Sequence, residues 1–396
     1  MENIIKFLKN EKIIVKPCAP FGNLEINFLD DLSKMLMSNN HAKSFPDIIS
    51  FAFWCRKKNI INLKNKLKTN EIRIGLGCIF HITPSNVPLN FAYSFVFGLL
   101  TGNSNIVKLP SENFSQTKIV CNMISKIFKR KKFEIIGKKN YFFKYDSDET
   151  EITKNLSLKI DGRMVWGGDK TIEMVKNFKT KPRTKDIFFS DRYSFCIIKS
   201  EEIISSGIPR LQDYTNKFYN DTYFMDQNAC SSPHLIIWYG STKKNRLAKN
   251  KFWPELLKIV KRKYSLEHSN VIDKYTSLCE DAIEHNFDDD FYNYENLIYR
   301  LKIKKLNNHL DQLNNKFGYF YEFECNNLKK IKYYITQKFQ TLAYLGMNKK
   351  KLVDFVTKNS LEGIDRIVPI GSSHNIGFTW DGYNIDKQLT RVIEVN

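Results

Sequence analysis

From Ile72 onward the chain alternates short apolar runs with helical stretches: GLGCIFHI, a turn, NFAYSFVFGLLTG, then NIVKL, then a helix through QTKIVCNMISKIFK. Apolar runs this short, separated by segments with apolar residues three and four apart, are the pattern of a parallel sheet with crossover helices. MVWGG and DKTIEMVKNF continue it as a further strand and helix, and YSFCIIK closes it near residue 199. The pattern predicts an α/β fold: a Rossmann-type parallel-sheet domain, followed by a second α/β domain.

Ahead of this region, residues 25 to 67 read as two amphipathic helices broken near Ser44, Phe45 and Pro46. After about residue 205 a helix leads to YFMDQNACSSPHLIIWYG, then to a long helical section rich in Lys, Asn and Tyr, then to a closing segment rich in Gly and β-branched residues. The expected organisation is a helical lead-in over 1–70, a nucleotide-binding domain over 71–205, a catalytic domain over 206–375 and a C-terminal segment over 376–396.

Composition removes several classes. No stretch approaches the roughly 20 apolar residues that span a bilayer, and MENIIKFLKNEK lacks the apolar run of a secretory leader, so the expected address is the cytoplasm. Eight cysteines are scattered singly, without CxxC pairs or the density of a disulfide scaffold. A net charge of +20 invites a nucleic-acid reading, yet Lys is spread along the chain together with Asn, Ile and Phe. The densest basic run, residues 243–263, has helical apolar spacing and reads as a solvated face. A positive surface also draws polyphosphate ligands. Asp288, Asp289 and Asp290 lack the spacing of a calcium loop and read as a solvated turn.

Four segments carry chemistry. Cys230, in DQNACSSPH, is a thiol among small residues at the mouth of an apolar strand; a thiolate there attacks thioester or aldehyde carbonyls well. HITPSNVPLN sets Asn86 between two prolines that fix its backbone, so its amide is presented in one orientation, as an oxyanion donor must be. In GNSNIVKLPSEN, Lys108 emerges at the carboxyl end of a strand, where nucleotides bind in open α/β sheets, and Ser111 is small and neutral where a carboxylate would repel a 2′-phosphate. In VWGGDKTIE, Gly167 and Gly168 offer bare backbone to a pyrophosphate before a helix capped by Asp169.

In this order, TPSNVP, GN and VK, GG before a helix, then a late Cys, the motifs resemble those of the aldehyde dehydrogenase superfamily. FAFWCR, VWGGDKTIE, DQNACSSPH, GIDRIVPIG and TWDG resemble more narrowly the acyl-CoA reductase family of bacterial luminescence operons, from about residue 28 to the end. The resemblance implies an aldehyde dehydrogenase-like fold, Cys230 as acylated nucleophile, and Asn86 with the Cys230 amide as oxyanion hole. It implies cofactor contacts at Thr83, Pro84, Lys108, Ser111, Gly167, Gly168 and Asp169, with NADPH as cofactor because Ser111 stands where NAD-preferring relatives often have Glu. Arg366, Pro369, Gly371, Trp380 and Asp381 match family positions as packing around the site. No metal is expected. Relatives work with an acyl-protein synthetase, and a homo-oligomer is expected.

Where ordinary aldehyde dehydrogenases carry an ELGGK-like segment whose Glu activates water, this chain reads FFSDRYSF. Loss of that carboxylate favours reduction of an acyl-CoA or acyl-protein thioester over aldehyde oxidation. Asp191, His81, His234 and His374 are candidate proton carriers by residue type alone; no spacing rule brings any of them to Cys230, and each reads as structural. The alternatives are an aldehyde-oxidising dehydrogenase of the same fold and a basic nucleic-acid-binding protein.

Overall fold

The computed structural model describes residues 15–67, 69–285 and 291–395; Asp288, Asp289 and Asp290 lie outside them. The chain forms two compact units, 1–191 with 377–396 and 192–376.

The first unit is built on a five-stranded sheet in the order Asn140–Phe143, Ser104–Lys108, Cys78–Ile82, Gly162–Trp166, Lys185–Phe189. All four pairings are parallel. In chain order this is 3-2-1-4-5, the doubly wound arrangement, which reverses direction between Cys78–Ile82 and Gly162–Trp166. Its three central strands are buried along their length, as a sheet covered by helices on both faces requires. Phe80, Ile82, Ile106, Val165 and Ile172 form one core on this sheet. The lead-in is four helices, Asn23–Ser38, Asn40–Lys43, Pro46–Trp54 and Lys57–Lys66, rather than two, because Asn39 caps a short turn of its own and Pro46 starts another. The chain's end returns to this unit: Thr390–Ile393 pairs antiparallel with Ile72–Gly75.

The second unit holds a seven-stranded sheet in the order Arg366–Pro369, Phe339–Leu345, Tyr193–Lys199, Pro233–Tyr239, Tyr319–Cys325, Ile298–Lys302, Phe291–Tyr294. It is parallel except for the last pair. YSFCIIK, read from sequence as closing the first domain near residue 199, is instead central here, and the division falls after Asp191 and not near 205. Among the described residues, the section read as helical has long helices at Thr242–Lys263 and His268–His285, whereas Phe291–Tyr294, Ile298–Lys302 and Tyr319–Cys325 are strands. The basic run is one helix that buries Phe252, Trp253, Leu256, Ile259 and Val260 and turns its other side outward.

Strand Tyr319–Cys325 is hard to read because it buries a carboxylate. Glu322 is fully buried. Its Oε1 accepts the indole N–H groups of Trp238 at 2.6 Å and Trp253 at 2.9 Å, and its Oε2 accepts from Arg300 at 2.8 Å, with Lys249 3.5 Å away. Burial alone would raise the Glu322 pKa, but Arg300, Lys249 and the Trp238 indole together bring it below the ordinary value. Glu322→Ala leaves the buried Arg300 without its carboxylate, while Lys249 keeps Glu324 at 2.8 Å, and should cost about 3–5 kcal/mol in urea unfolding, with Glu322→Gln costing less. A carboxylate whose folded pKa is depressed contributes stability above its unfolded pKa and loses it as pH falls through the folded value. The fall in stability from neutral to acidic pH should therefore be shallower in Glu322→Gln than in the wild type.

Candidate functional site

Parallel strands place every following loop on one edge, so the first unit gathers the cofactor residues expected from sequence at the carboxyl ends of adjacent strands. Cys78–Ile82 runs into Thr83 and Pro84 and a turn that carries Asn86 exposed. Two hydroxyls pin this connection: Thr83 Oγ1 donates to the Lys108 carbonyl at 2.7 Å, and Thr117 Oγ1 to the Pro88 carbonyl at 2.7 Å. Asn86 thus sits in a loop fixed at both ends before the helix Asn90–Leu100 begins.

Lys108 ends its strand largely buried, with Nζ 4.5 Å from the centre of the Tyr145 ring. Burial lowers its pKa, opposed by Asp146, Glu149 and Asp148. Ser111 follows, half-buried in a bend. On the other side of the reversal point, Gly162–Trp166 ends at Gly167 and Gly168. The helix cap there is Gly168, with φ −65° and ψ 162°, and not Asp169, which is the first helical residue and complements the positive helix end from its first turn. Asp191, the carboxylate of FFSDRYSF, lies against this bend: a Cβ at Gly168 would stand 2.9 Å from its Oδ2.

His81 is structural. Its ring is buried between Ser94 Oγ at 2.7 Å and Asn105 Oδ1 at 2.9 Å, and burial pulls its pKa down to about 4. Gly98 makes room for this junction, since a Cβ there would meet Asn105 Oδ1 at 1.9 Å.

In the second unit Cys230 is exposed on the loop three residues before Pro233–Tyr239. The loop's backbone is anchored at several points. Gln227, buried at φ +57°, accepts from the Gly318 and Tyr319 amides at 2.7 and 3.0 Å, and its Nε2 donates to the carbonyls of Pro233 and Tyr319. Ser194 Oγ donates to the Cys230 carbonyl at 2.6 Å and accepts from the Thr341 amide at 3.2 Å. Ser231 is buried, with its hydroxyl 3.0 Å from His374 Nδ1. Burial drives up the thiol pKa of Cys55, Cys196 and Cys325, and pushes those of Cys78 and Cys121 to about 12. A thiol that ionises that reluctantly is a poor nucleophile near neutral pH.

His234 is buried, its Nδ1 2.9 Å from the Asn315 carbonyl and its ring stacked on Tyr193. It supports the loop from below. Arg366 braces the closing loop of this unit, donating to the Ser373 carbonyl at 2.9 Å and the Asn375 carbonyl at 3.2 Å. Sequence reasoning missed Gln227, Ser194 and Asp221, whose carboxylate accepts the Gly371 and Ser373 amides. Each is a polar residue whose function is to hold backbone, and no spacing rule marks such residues.

Among the described residues, no group of three or more His, Cys, Asp or Glu side chains could hold a metal ion, and no helix is long and apolar enough to cross a membrane.

The fold is that of aldehyde dehydrogenases. Proline utilization A from Bradyrhizobium japonicum matches with a TM-score of 0.65 at 12% identity, over 99% of this chain and 44% of that one. The chain thus spans less than half the length of that protein. An NAD-dependent benzaldehyde dehydrogenase from Corynebacterium glutamicum matches at 0.63 and 10% identity over 93% and 83% of the two chains, and a lactaldehyde dehydrogenase at 0.63 and 11% over 93% and 86%. Identities this low speak for the fold alone. No curated protein matches the sequence. The family model described as acyl-CoA reductase (LuxC) matches residues 33–392, nearly the whole chain, and the protein belongs to that family.

Proposed function

We propose that the protein reduces a long-chain acyl thioester, carried on coenzyme A or on a protein, to the aldehyde with NADPH, through an acyl group held on Cys230. The observation that carries this is an exposed thiol on an anchored loop in a chain of the acyl-CoA reductase family. The Cys230 sulfur adds to the thioester carbonyl carbon to give a tetrahedral oxyanion; collapse of that adduct breaks the bond to the donor sulfur, and the proton Cys230 gives up ends on the departing thiol. Asn86 donates to the oxyanion, and its pinned loop means little reorganisation accompanies that donation.

Lys108 and Ser111 are the residues to hold the adenosine ribose and its 2′-phosphate, and the Gly167–Gly168 backbone the pyrophosphate. They fit such a group: they line the carboxyl edge at the reversal of strand order, and the bend offers backbone without side chains. NADPH, when bound, would supply the hydride, and the aldehyde leaves as the carbon–sulfur bond breaks and the Cys230 thiolate is regenerated. The stretch FFSDRYSF contains one carboxylate, Asp191, set against Gly168. Without a carboxylate committed to activating water, the acyl group survives to be reduced. An acyl-protein donor delivered by a synthetase and a homo-oligomeric assembly belong to the same proposal.

Incubation with radiolabelled tetradecanoyl-CoA should label the wild type and not Cys230→Ala, and NADPH should discharge the label as aldehyde. Equal labelling of the mutant would remove Cys230 from the reaction. Asn86→Ala should lower kcat by about 10²- to 10³-fold with a smaller effect on KM. Ser111→Glu should weaken NADPH binding through repulsion of the 2′-phosphate and leave NADH binding comparatively intact, as read by the ratio of kcat/KM for the two cofactors.

A further inference from the structure

Cys230 is exposed, but the residue after it is not, and that contrast shows how the loop is held. The Cys230 carbonyl is fixed by Ser194, and the buried Ser231 hydroxyl meets His374 Nδ1 at 3.0 Å. The peptide unit joining Cys230 to Ser231 is therefore gripped on both sides.

His374 is itself placed by a brace. Its loop begins at Gly371, whose φ of +85° lies in the left-handed region that favours glycine. The Asp221 carboxylate, on helix Ile208–Thr222, accepts the Gly371 amide at 2.6 Å and the Ser373 amide at 2.9 Å. Arg366 donates to Thr341 Oγ1 at 3.1 Å, besides its bonds to the Ser373 and Asn375 carbonyls. Both sides of His374 along the chain are thus tied to structured elements, and the imidazole is a fixed object against which Ser231 rests.

We propose that His374 is a positioning residue for Cys230, acting through the Ser231 hydroxyl, and that the loop from Gly371 to Asn375 is the brace that holds it. The proposal rests on the reading of Cys230 as the acylated nucleophile. It assigns His374 no proton transfer. Burial, with the positive charge of Arg366 adding to it, draws the His374 pKa down to about 4, so the ring is neutral near pH 7 and a poor proton acceptor. A neutral ring keeps one hydrogen-bonding pattern through the cycle, as an orienting group must.

In single-turnover acylation by tetradecanoyl-CoA, His374→Leu and Ser231→Ala should each slow the reaction by about tenfold to a hundredfold with KM little changed, the scale of loss expected when a reacting group is misplaced by about 1 Å. The double variant should be no slower than the worse single one, because both remove the same contact. His374→Asn, which keeps a polar atom near the position of Nδ1, should recover most of the rate. The pH midpoint for alkylation of Cys230 by iodoacetamide should be the same in His374→Leu and the wild type. Amide exchange over residues 229–232 should quicken in His374→Leu, a readout that needs no substrate.

Wild-type acylation by His374→Leu, additive losses in the double variant, unchanged amide exchange, or a shifted alkylation midpoint would each overturn the proposal. Labelling of Cys230→Ala at the wild-type level would overturn the nucleophile reading instead, and the amide-exchange result would still report on the brace.

Discussion

A parallel strand cannot turn back beside itself, so every connection in the first sheet must cross from one edge to the other, and all the strand carboxyl ends meet on a single edge. That constraint brings Thr83, Lys108 and Gly167 near one another although up to 84 residues separate them in the chain. The reversal of strand order then parts the loops after Cys78–Ile82 and Gly162–Trp166, which leave toward opposite faces. The second sheet obeys the same rule over most of its width but presents Cys230 at the other kind of edge, on the loop that enters strand Pro233–Tyr239.

Loops on such an edge have no ladder to hold them, and here buried polar side chains take that role. Thr83 and Thr117 tie the Asn86 loop, Gln227 and Ser194 tie the Cys230 loop, and Asp221 ties the loop of His374. Each bond is individually worth about 1 kcal/mol net, but leaving one of these buried groups unsatisfied costs about 1–3 kcal/mol, so the arrangement resists loosening more strongly than the bonds alone suggest. Hydrophobic packing sets the position of the strands, and hydrogen bonds from one side chain to another segment's backbone set the direction of what emerges from them.

This division explains what could be read from the sequence. The apolar runs from Cys78 to Trp166 matched strands closely, because burial on both faces leaves a continuous apolar signal. Tyr193–Lys199 was equally clear as a strand and was assigned to the wrong sheet, since an apolar run carries no record of its partner. Tyr319–Cys325 was hidden because Glu322 interrupts its apolar face, and its compensation by Arg300, Lys249 and two indoles comes from residues 22 to 84 positions away. The order of motifs puts Cys230, Asn86 and Lys108 forward as candidates, and the structure sets Cys230 exposed on a loop, Asn86 in a turn and Lys108 at the end of a strand. Ser194, Gln227 and Asp221 were not legible, because nothing local distinguishes a serine that holds a carbonyl 36 residues away from one that faces water.

The Gly167–Gly168 bend shows how the two kinds of reading combine. Sequence marks it as bare backbone before a helix, a place that attracts anions. The structure adds that Asp169 stands in the first turn and that Asp191 approaches Gly168, so negative charge already offsets part of the helix end's positive potential. A phosphate arriving there gains less than it would at an uncompensated helix start. On the proposed reading, the firmer hold on a dinucleotide in this unit lies on the other side of the reversal, where Lys108 rests on Tyr145 and its carbonyl accepts from Thr83. On that same reading, an adenosine end held firmly and a pyrophosphate held weakly would let the far end of the cofactor move.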